Sequence, residues 1–308
     1  HTDFVGLRIK GKPEVVDGEY KKLNVEVYGG PILSTWLDRP LSIAGKVAVR
    51  SNDIFQPEVR TVDFKRPILT IPNLAIHLNR EVNSGVELNP QVDMLPLIGM
   101  VEEQLEKEFF MEALASELEV EVKDILDFEL GVYCFEEGCL AGLHEEFISS
   151  PRIDNISSVQ ACLTGLIEGK RTSGIDVIAC FDHEEIGSRT KKGADSLLLG
   201  MLLVKIYEAL GGTEGMYRNA LLKSHCLSVD VAHAMHPNKK GKEDITNKIY
   251  LNKGIAIKIA NAQTYATDCE MVAMLVALCE SNEIPYQKFY NRSDVRGGST
   301  IGAIVNSI

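Results

Sequence analysis

The 308-residue chain is 45% hydrophobic and 25% charged, ordinary values for a globular protein and a length that suits two domains. Its 44 acidic residues against 32 basic ones leave a net charge of −12, which repels phosphate backbones and argues against a nucleic-acid partner. No apolar run approaches the roughly 20 residues needed to cross a bilayer, so no membrane partner is expected either. The longest run, Leu197–Val204, is interrupted by Gly200.

The seven cysteines (Cys134, Cys139, Cys162, Cys180, Cys226, Cys269 and Cys279) contain no CxxC pair, and several lie in apolar runs where cysteine behaves as a small buried hydrophobe. An odd, scattered set reads as reduced thiols of a cytoplasmic protein. A bound metal is then expected on histidine and carboxylate rather than on thiolate.

In chain order, Leu7–Lys10 and Leu23–Tyr28 alternate apolar and polar residues as half-buried strands do, and Gly29-Gly30-Pro31 punctuates them. Short strands are predicted at Ile43–Arg50, Glu58–Phe64 and Ile68–Ile71, and the pattern stays β-rich to about Cys139. Within it, about Val101–Leu118 predicts a long amphipathic helix carrying Leu105, Phe109, Leu114 and Leu118. After Ser150 the pattern changes. A helix at Ser157–Glu168 leads to Ile175–Phe181, an apolar run suited to a strand buried on both faces. A helix at Ala194–Leu210 ends at Gly211-Gly212, and a strand follows at Cys226–Val231. Then come a strand at Ala256–Ile259, a helix at Asp268–Ser281 and a strand at Phe289–Tyr290. Strands alternating with helices predict an α/β domain with a parallel sheet from Ser150 on, preceded by the β-rich part.

Four segments carry candidate chemistry. Asp182-His183-Glu184-Glu185 follows the strand predicted to end at Phe181, where open α/β sheets place ligands. Two adjacent carboxylates there can divide the work, one on a metal and one accepting a proton from water. Asp230 lies in or at the end of an apolar strand, where an ionised carboxylate is costly unless paired or bound to a cation, and His233 and His236 follow it. Asp154 and Asn155 open a helix, a position that is usually an N-cap. His1 and Asp3 share a strand face, so Asp3 can orient a ligand imidazole. Each segment read alone has a bland alternative: a solvated acidic loop, surface histidines, a helix cap. Together they supply His1, Asp154, Glu185 and Asp230 as a nitrogen and oxygen donor set for Zn²⁺, with Mn²⁺ and Co²⁺ as alternatives, and leave Glu184 free beside it. That is the apparatus of metal-assisted hydrolysis.

The order and wording of the segments resemble the aspartyl aminopeptidase (vacuolar aminopeptidase I) family. The likeness runs through His1-Thr2-Asp3, Tyr28-Gly29-Gly30, Thr35-Trp36-Leu37-Asp38-Arg39 and Leu74-Ala75-Ile76-His77-Leu78. It continues through Glu146-Phe147-Ile148, Pro151-Arg152-Ile153-Asp154-Asn155, His183-Glu184-Glu185-Ile186-Gly187-Ser188 and Asp230-Val231-Ala232-His233-Ala234-Met235-His236-Pro237-Asn238. Tyr265-Ala266-Thr267-Asp268 and Gly297-Gly298-Ser299-Thr300-Ile301-Gly302 complete it, so nearly the whole chain is covered.

The resemblance implies a dinuclear zinc aminopeptidase acting on short peptides. Its fold would be a three-layer α/β/α catalytic domain from residues 1–12 and 147–308, with a β-rich dimerisation domain inserted at 13–146. Dimers would build a dodecamer. By analogy Asp154 bridges two metal ions. His1 and Asp230 complete one, and Glu185 serves the other together with a histidine near the family's C-terminus. Glu184 is the general base and Asp3 holds His1. His77 corresponds to a residue that reaches a neighbouring subunit's site, while His233, Lys258 and Tyr265 match substrate-contacting positions.

Three departures stand out. No histidine follows His236, and family chains extend past both ends, so this sequence is expected to be a trimmed version of a longer one. Phe4-Val5 replaces the usual Ser-Pro. Gln263-Thr264-Tyr265 stands where Gln-Arg-Tyr is common, which bears on a preference for N-terminal Asp or Glu. The alternatives to an aspartyl aminopeptidase are a related dinuclear hydrolase (glutamyl or deblocking aminopeptidase, or amino-acid deacylase) and a catalytically inactive assembly protein.

Overall fold

Apolar residues at every second position build the larger sheet of the molecule. In the computed structural model, which describes residues 1–101, 108–295, 297–298 and 301–305, the chain separates into two compact units. One is Phe4–Pro151, the other His1–Asp3 with Arg152–Ile308.

The first unit holds β1 (Gly6–Asp17), β2 (Tyr20–Tyr28), β3 (Leu41–Val49), β4 (Glu58–Asp63), the short α1 (Pro90–Asp93), β5 (Leu97–Met100), α2 (Phe109–Leu118) and β6 (Ile125–Cys134). The strands form one antiparallel sheet in the order β4-β3-β6-β1-β2-β5. Leu41, Ile43, Val47 and Val49 of β3 are buried along one face, as are Leu23 and Val25 of β2 and Leu130 and Val132 of β6. That is the period-2 pattern of a sheet with one face turned to a core. Phe110, Leu114 and Leu118 recur every four residues on α2, one stripe of the helix, and pack into the same cluster. Burying each such side chain stabilises the unit by roughly 1.5–3 kcal/mol. The Glu14 carboxylate accepts the Met111 N–H, one of the donors a helix start leaves open, and the helix ends at Glu119 in a left-handed conformation. A hairpin of β7 (Cys139–Ala141) and β8 (Phe147–Ser149) closes the unit.

Several expectations shift here. Ile68–Ile71 forms two isolated bridges, Leu41 to Leu69 and Thr70 to Leu97, instead of a strand. The helix predicted from Val101 is described only as α2, because residues 102–107, Leu105 among them, lie outside the described residues. β1 runs unbroken past residue 12 and pairs with β2 and β6, so residues 4–12 group with this unit.

The second unit contains α3 (Ile153–Glu168), α4 (Leu198–Ala209), α5 (Glu214–Leu222), β9 (Ile255–Lys258), α6 (Cys269–Ser281), β10 (Tyr286–Phe289) and α7 (Ile301–Val305). β9 and β10 pair in parallel with Ile255 opposite Tyr286 and Lys258 opposite Phe289, and α6 is the crossover between them. Asp268 caps α6 by accepting the Met271 N–H at 2.8 Å. Small clusters form around Ile257, Ile259 and Val272, and around Ile249, Tyr265 and Phe289. The two apolar runs predicted as fully buried strands, Ile175–Phe181 and Cys226–Val231, join no ladder and are not buried: Val177, Leu227 and Val229 are all exposed. A strand exists only through its hydrogen-bonded neighbour, and no described segment takes that place. No helix among the described residues is long and apolar enough to cross a membrane.

Candidate metal centre

His1 and Asp3 reach the site because Thr2 is tied down between them. Its N–H and its hydroxyl both donate to the Phe181 carbonyl, at 2.8 and 3.1 Å, leaving residues 1 and 3 on a common side. Both are buried. The Asp3 carboxylate lies 3.2 Å from His1 Nδ1, and the Asp3 carbonyl is 3.0 Å from the same nitrogen.

That carboxylate also shapes the next segment. Its Oδ1 accepts the Glu184 N–H at 3.1 Å and its Oδ2 the Glu185 N–H at 3.2 Å. Glu184–Ile186 is a single 3₁₀ turn, opened by His183 at φ 61° and closed by Gly187 at φ 95°, where a side chain would be strained. Ser188 N–H donates back to the His183 carbonyl, and Thr190 Oγ1 sits 2.8 Å from His183 Nδ1. Arg152, His183 and Ser188 are non-glycine residues in the left-handed region, each costing about 1–2 kcal/mol. All three sit within two residues of Asp154 or of the Glu184–Ile186 turn, a placement common at functional sites.

Asp154 stands at the start of α3 with φ −80° and ψ 107°, outside helical geometry, and the peptide to Asn155 is cis. It does not cap the helix. Its Oδ1 lies 3.2 Å from His1 Nε2. Glu184 Oε2 is 3.7 Å from the same nitrogen. Asp230 is half-buried in the Cys226–Val231 segment, with one oxygen 2.7 Å from the Val231 N–H.

The structure thus brings together six of the residues singled out in the sequence, His1, Asp3, Asp154, Glu184, Glu185 and Asp230. Donor atoms of His1, Asp154 and Glu185 lie within 4.8 Å of one another, as do those of His1, Glu184 and Asp230. Ligands about 2.0–2.2 Å from a tetrahedral zinc are about 3.3–3.6 Å apart, so the His1–Asp154 pair, at 3.2 Å a hydrogen-bond contact, needs only a slight separation to share an ion. Electrostatics point the same way. Burial pushes Glu185 up to about 7, with the Asp154 charge adding to it. Glu184 is raised by burial first and by Asp230, Asp3 and Asp154, against the opposing pull of His1. For His1 the largest single influence is burial, which lowers it; hydrogen bonds to Asp154 and Asp3 and the Glu184 charge together outweigh burial and hold it at about 11. Carboxylates this crowded hold protons that they would otherwise release, and a divalent cation satisfies them better. The donor set fits zinc.

Beside Asp230 lies a second group. Lys258 Nζ donates to the Val231 carbonyl at 2.8 Å and stands 5.9 Å over the Tyr265 ring. Tyr265 accepts from Asn291 Nδ2 at its hydroxyl and tilts against Phe289, whose ring meets His233 edge-on. His233 Nδ1 is 3.3 Å from Glu243, a buried carboxylate that no local pattern marks out. Asn155, considered only as a cap, turns out to be buried and bonded to Val229. His77 sits in an exposed 3₁₀ turn, Ile76–Leu78, of the first unit.

A buried imidazole amid clustered carboxylates on a mixed α/β scaffold is a donor set that suits a metal-dependent hydrolase. The family model described as aminopeptidase I zinc metalloprotease (M18) matches residues 1–308, and the chain belongs to that family of zinc aminopeptidases. It is 51% identical over 306 residues to a probable M18 family aminopeptidase 2 of Clostridium acetobutylicum, covering 99% of this chain and 71% of the relative. Among solved structures, a chain of the cryo-EM structure of the Ape4 and Nbr1 complex superposes with a TM-score of 0.91 at 35% identity, covering 100% of this chain and 62% of that one. The S. cerevesiae mApe1 dodecamer superposes at 0.72 with 22% identity, covering 94% of this chain and 66% of that one, a likeness of fold. The α/β fold expected from the sequence is therefore the fold of solved M18 aminopeptidases.

Proposed function

We propose that the chain removes the N-terminal residue of short peptides, with His1, Asp154, Glu185 and Asp230 holding two zinc ions, or Co²⁺ or Mn²⁺ in their place, and Glu184 as general base. The observation that carries this reading is that two donor groups, His1 with Asp154 and Glu185 and His1 with Glu184 and Asp230, meet at His1 within a single unit, with Asp3 behind that imidazole. Bound zinc supplies Lewis acidity toward the scissile carbonyl and lowers the pKa of water. Glu184 takes a proton from the attacking water as the new C–O bond forms, and returns it to the leaving amine as the C–N bond breaks. Burial, with the charges of Asp230, Asp3 and Asp154, raises its half-buried carboxyl above the ordinary glutamate value, the direction a general base requires. Asp3 keeps His1 and the Glu184–Glu185 turn in register. His233, Lys258 and Tyr265 face the substrate. With Thr264 where an arginine is usual, Lys258 becomes the cation for an acidic N-terminal side chain; its bond to Val231 leaves two of its three donors free for that role.

At a larger scale, residues 13–146 serve as the dimerisation domain, dimers assemble toward a dodecamer like that of mApe1, and His77 completes a neighbouring subunit's site. Exposed free thiols at Cys139, Cys180, Cys226 and Cys269 support a reducing cytoplasm. The test is a panel of aminoacyl nitroanilides with the full-length chain, wild type and Glu184→Gln, alongside N-acetylated amino acids. Wild type releases nitroaniline only from free amino termini, fastest for Asp and Glu, and Glu184→Gln loses about 10²–10⁴-fold in kcat with zinc retained. Near-normal turnover in that variant would remove Glu184 from the role.

A further inference from the structure

The Cys226–Val231 segment delivers Asp230 yet has no strand neighbour among the described residues. Side chains do part of what a ladder would. The carbonyls on either side of Asp230 are both engaged: Val229 accepts from Asn155 Nδ2 at 3.1 Å, and Val231 accepts from Lys258 Nζ at 2.8 Å. Ser228 Oγ accepts the Gly302 N–H at 3.1 Å.

Of these anchors Asn155 is the most constrained. It is 1% exposed and directly follows Asp154. A buried carboxamide is costly where its polar groups go unbonded; here Nδ2 spans 74 positions to Val229 instead of capping its own helix, while Oδ1 is buried with no hydrogen-bond partner among the described residues. The route from the Asp154 carboxylate to the Asp230 carboxylate is therefore one peptide link, one hydrogen bond and one peptide link. Only a neutral donor of this size suits position 155. An aspartate there would set a further negative charge beside Asp154 and offer no N–H to the carbonyl. An apolar side chain would fill the space and leave the Val229 carbonyl unpaired.

We propose that Asn155 is a positioning residue that fixes the Asp154 carboxylate relative to the Asp230 carboxylate, and so sets metal affinity without touching substrate. The proposal rests on the metal-centre reading above. Residues that orient metal ligands typically contribute about ten- to a hundredfold in affinity.

The experiment uses the full-length chain, stripped of metal, as wild type, Asn155→Ala and the near-isosteric Asn155→Asp. Zinc affinity is read by competition with a chromophoric chelator, and ligand geometry by the visible absorption bands of the Co²⁺-loaded protein. Both variants are expected to bind zinc about ten- to a hundredfold more weakly, with shifted cobalt bands and a lower kcat at unchanged KM. Thermal unfolding of the metal-free forms shows whether alanine has also loosened the fold; Asn155→Asp, which keeps the packing volume, then decides. Wild-type affinity and an unaltered cobalt spectrum in Asn155→Asp would overturn the proposal. A wild-type chain that takes up no zinc would instead sink the metal-centre reading on which it stands.

Discussion

The Asp3 carboxylate meets three groups at once: the His1 imidazole and the N–H groups of Glu184 and Glu185. Removing it should therefore disturb a ligand and the base-carrying turn together. Asp3→Ala is expected to weaken zinc binding by about ten- to a hundredfold and to lower kcat as well, read by chelator competition and steady-state kinetics. Loss of kcat alone, at unchanged affinity, would confine Asp3 to the turn. Titration gives a second test. In the metal-free protein His1 is raised from 6.5 to about 11, so its stabilisation is complete below about pH 6.5 and is lost as pH rises toward 11. Glu185 is raised from 4.5 to about 7, so the folded form holds that proton longer and its contribution also falls as pH rises through that window. Zinc must displace both protons. Metal-free thermal stability should thus decline with rising pH while zinc affinity increases; affinity independent of pH between about 6 and 8 would contradict the assignment. Asp154, Glu184, Glu185 and Asp230 could be picked out in the sequence because each stands at the end of a predicted strand or the start of a helix, and His1 and Asp3 through the His-Thr-Asp wording. Glu243 and the bridging role of Asn155 could not be: the Asn155–Val229 bond spans 74 positions, and Glu243 meets His233 across irregular chain with no periodic pattern to mark it.

Elements of the first unit followed from alternation wherever one face is buried. β2 and β3 were anticipated within a few residues, and β6 shows the same pattern at Phe128, Leu130 and Val132 although it was not separated from the surrounding β-rich stretch. Gly45 of β3 faces Leu130 of β6, and a Cβ there would collide with the Glu129 carbonyl. Because that contact is with backbone, Gly45→Ala should destabilise the unit by about 1–3 kcal/mol, measured by urea unfolding; an unchanged midpoint would show that the two strands can part freely. In the second unit, apolar runs alone were a poor guide. Ile175–Phe181 and Cys226–Val231 have strand composition, but composition does not supply the partner that a ladder requires. The glycine helix stop was the better signal there, as the end of α4 at Ala209 just ahead of Gly211-Gly212 shows.

At the scale of the whole molecule, the sequence pattern changes near Ser150, and the contacts divide the chain between Pro151 and Arg152. What composition could not convey is that residues 1–3 belong with the second unit: three residues are too few for any periodicity, and only the His-Thr-Asp wording flagged them. The account therefore depends most on the opening imidazole meeting carboxylates from far along the chain. A zinc-edge anomalous difference map from crystals of the full-length protein grown with zinc tests this directly. Peaks are predicted about 2.0–2.2 Å from His1 Nε2 and from oxygens of Asp154, Glu185 and Asp230. A map featureless among those atoms, at zinc concentrations that saturate the protein, would contradict it.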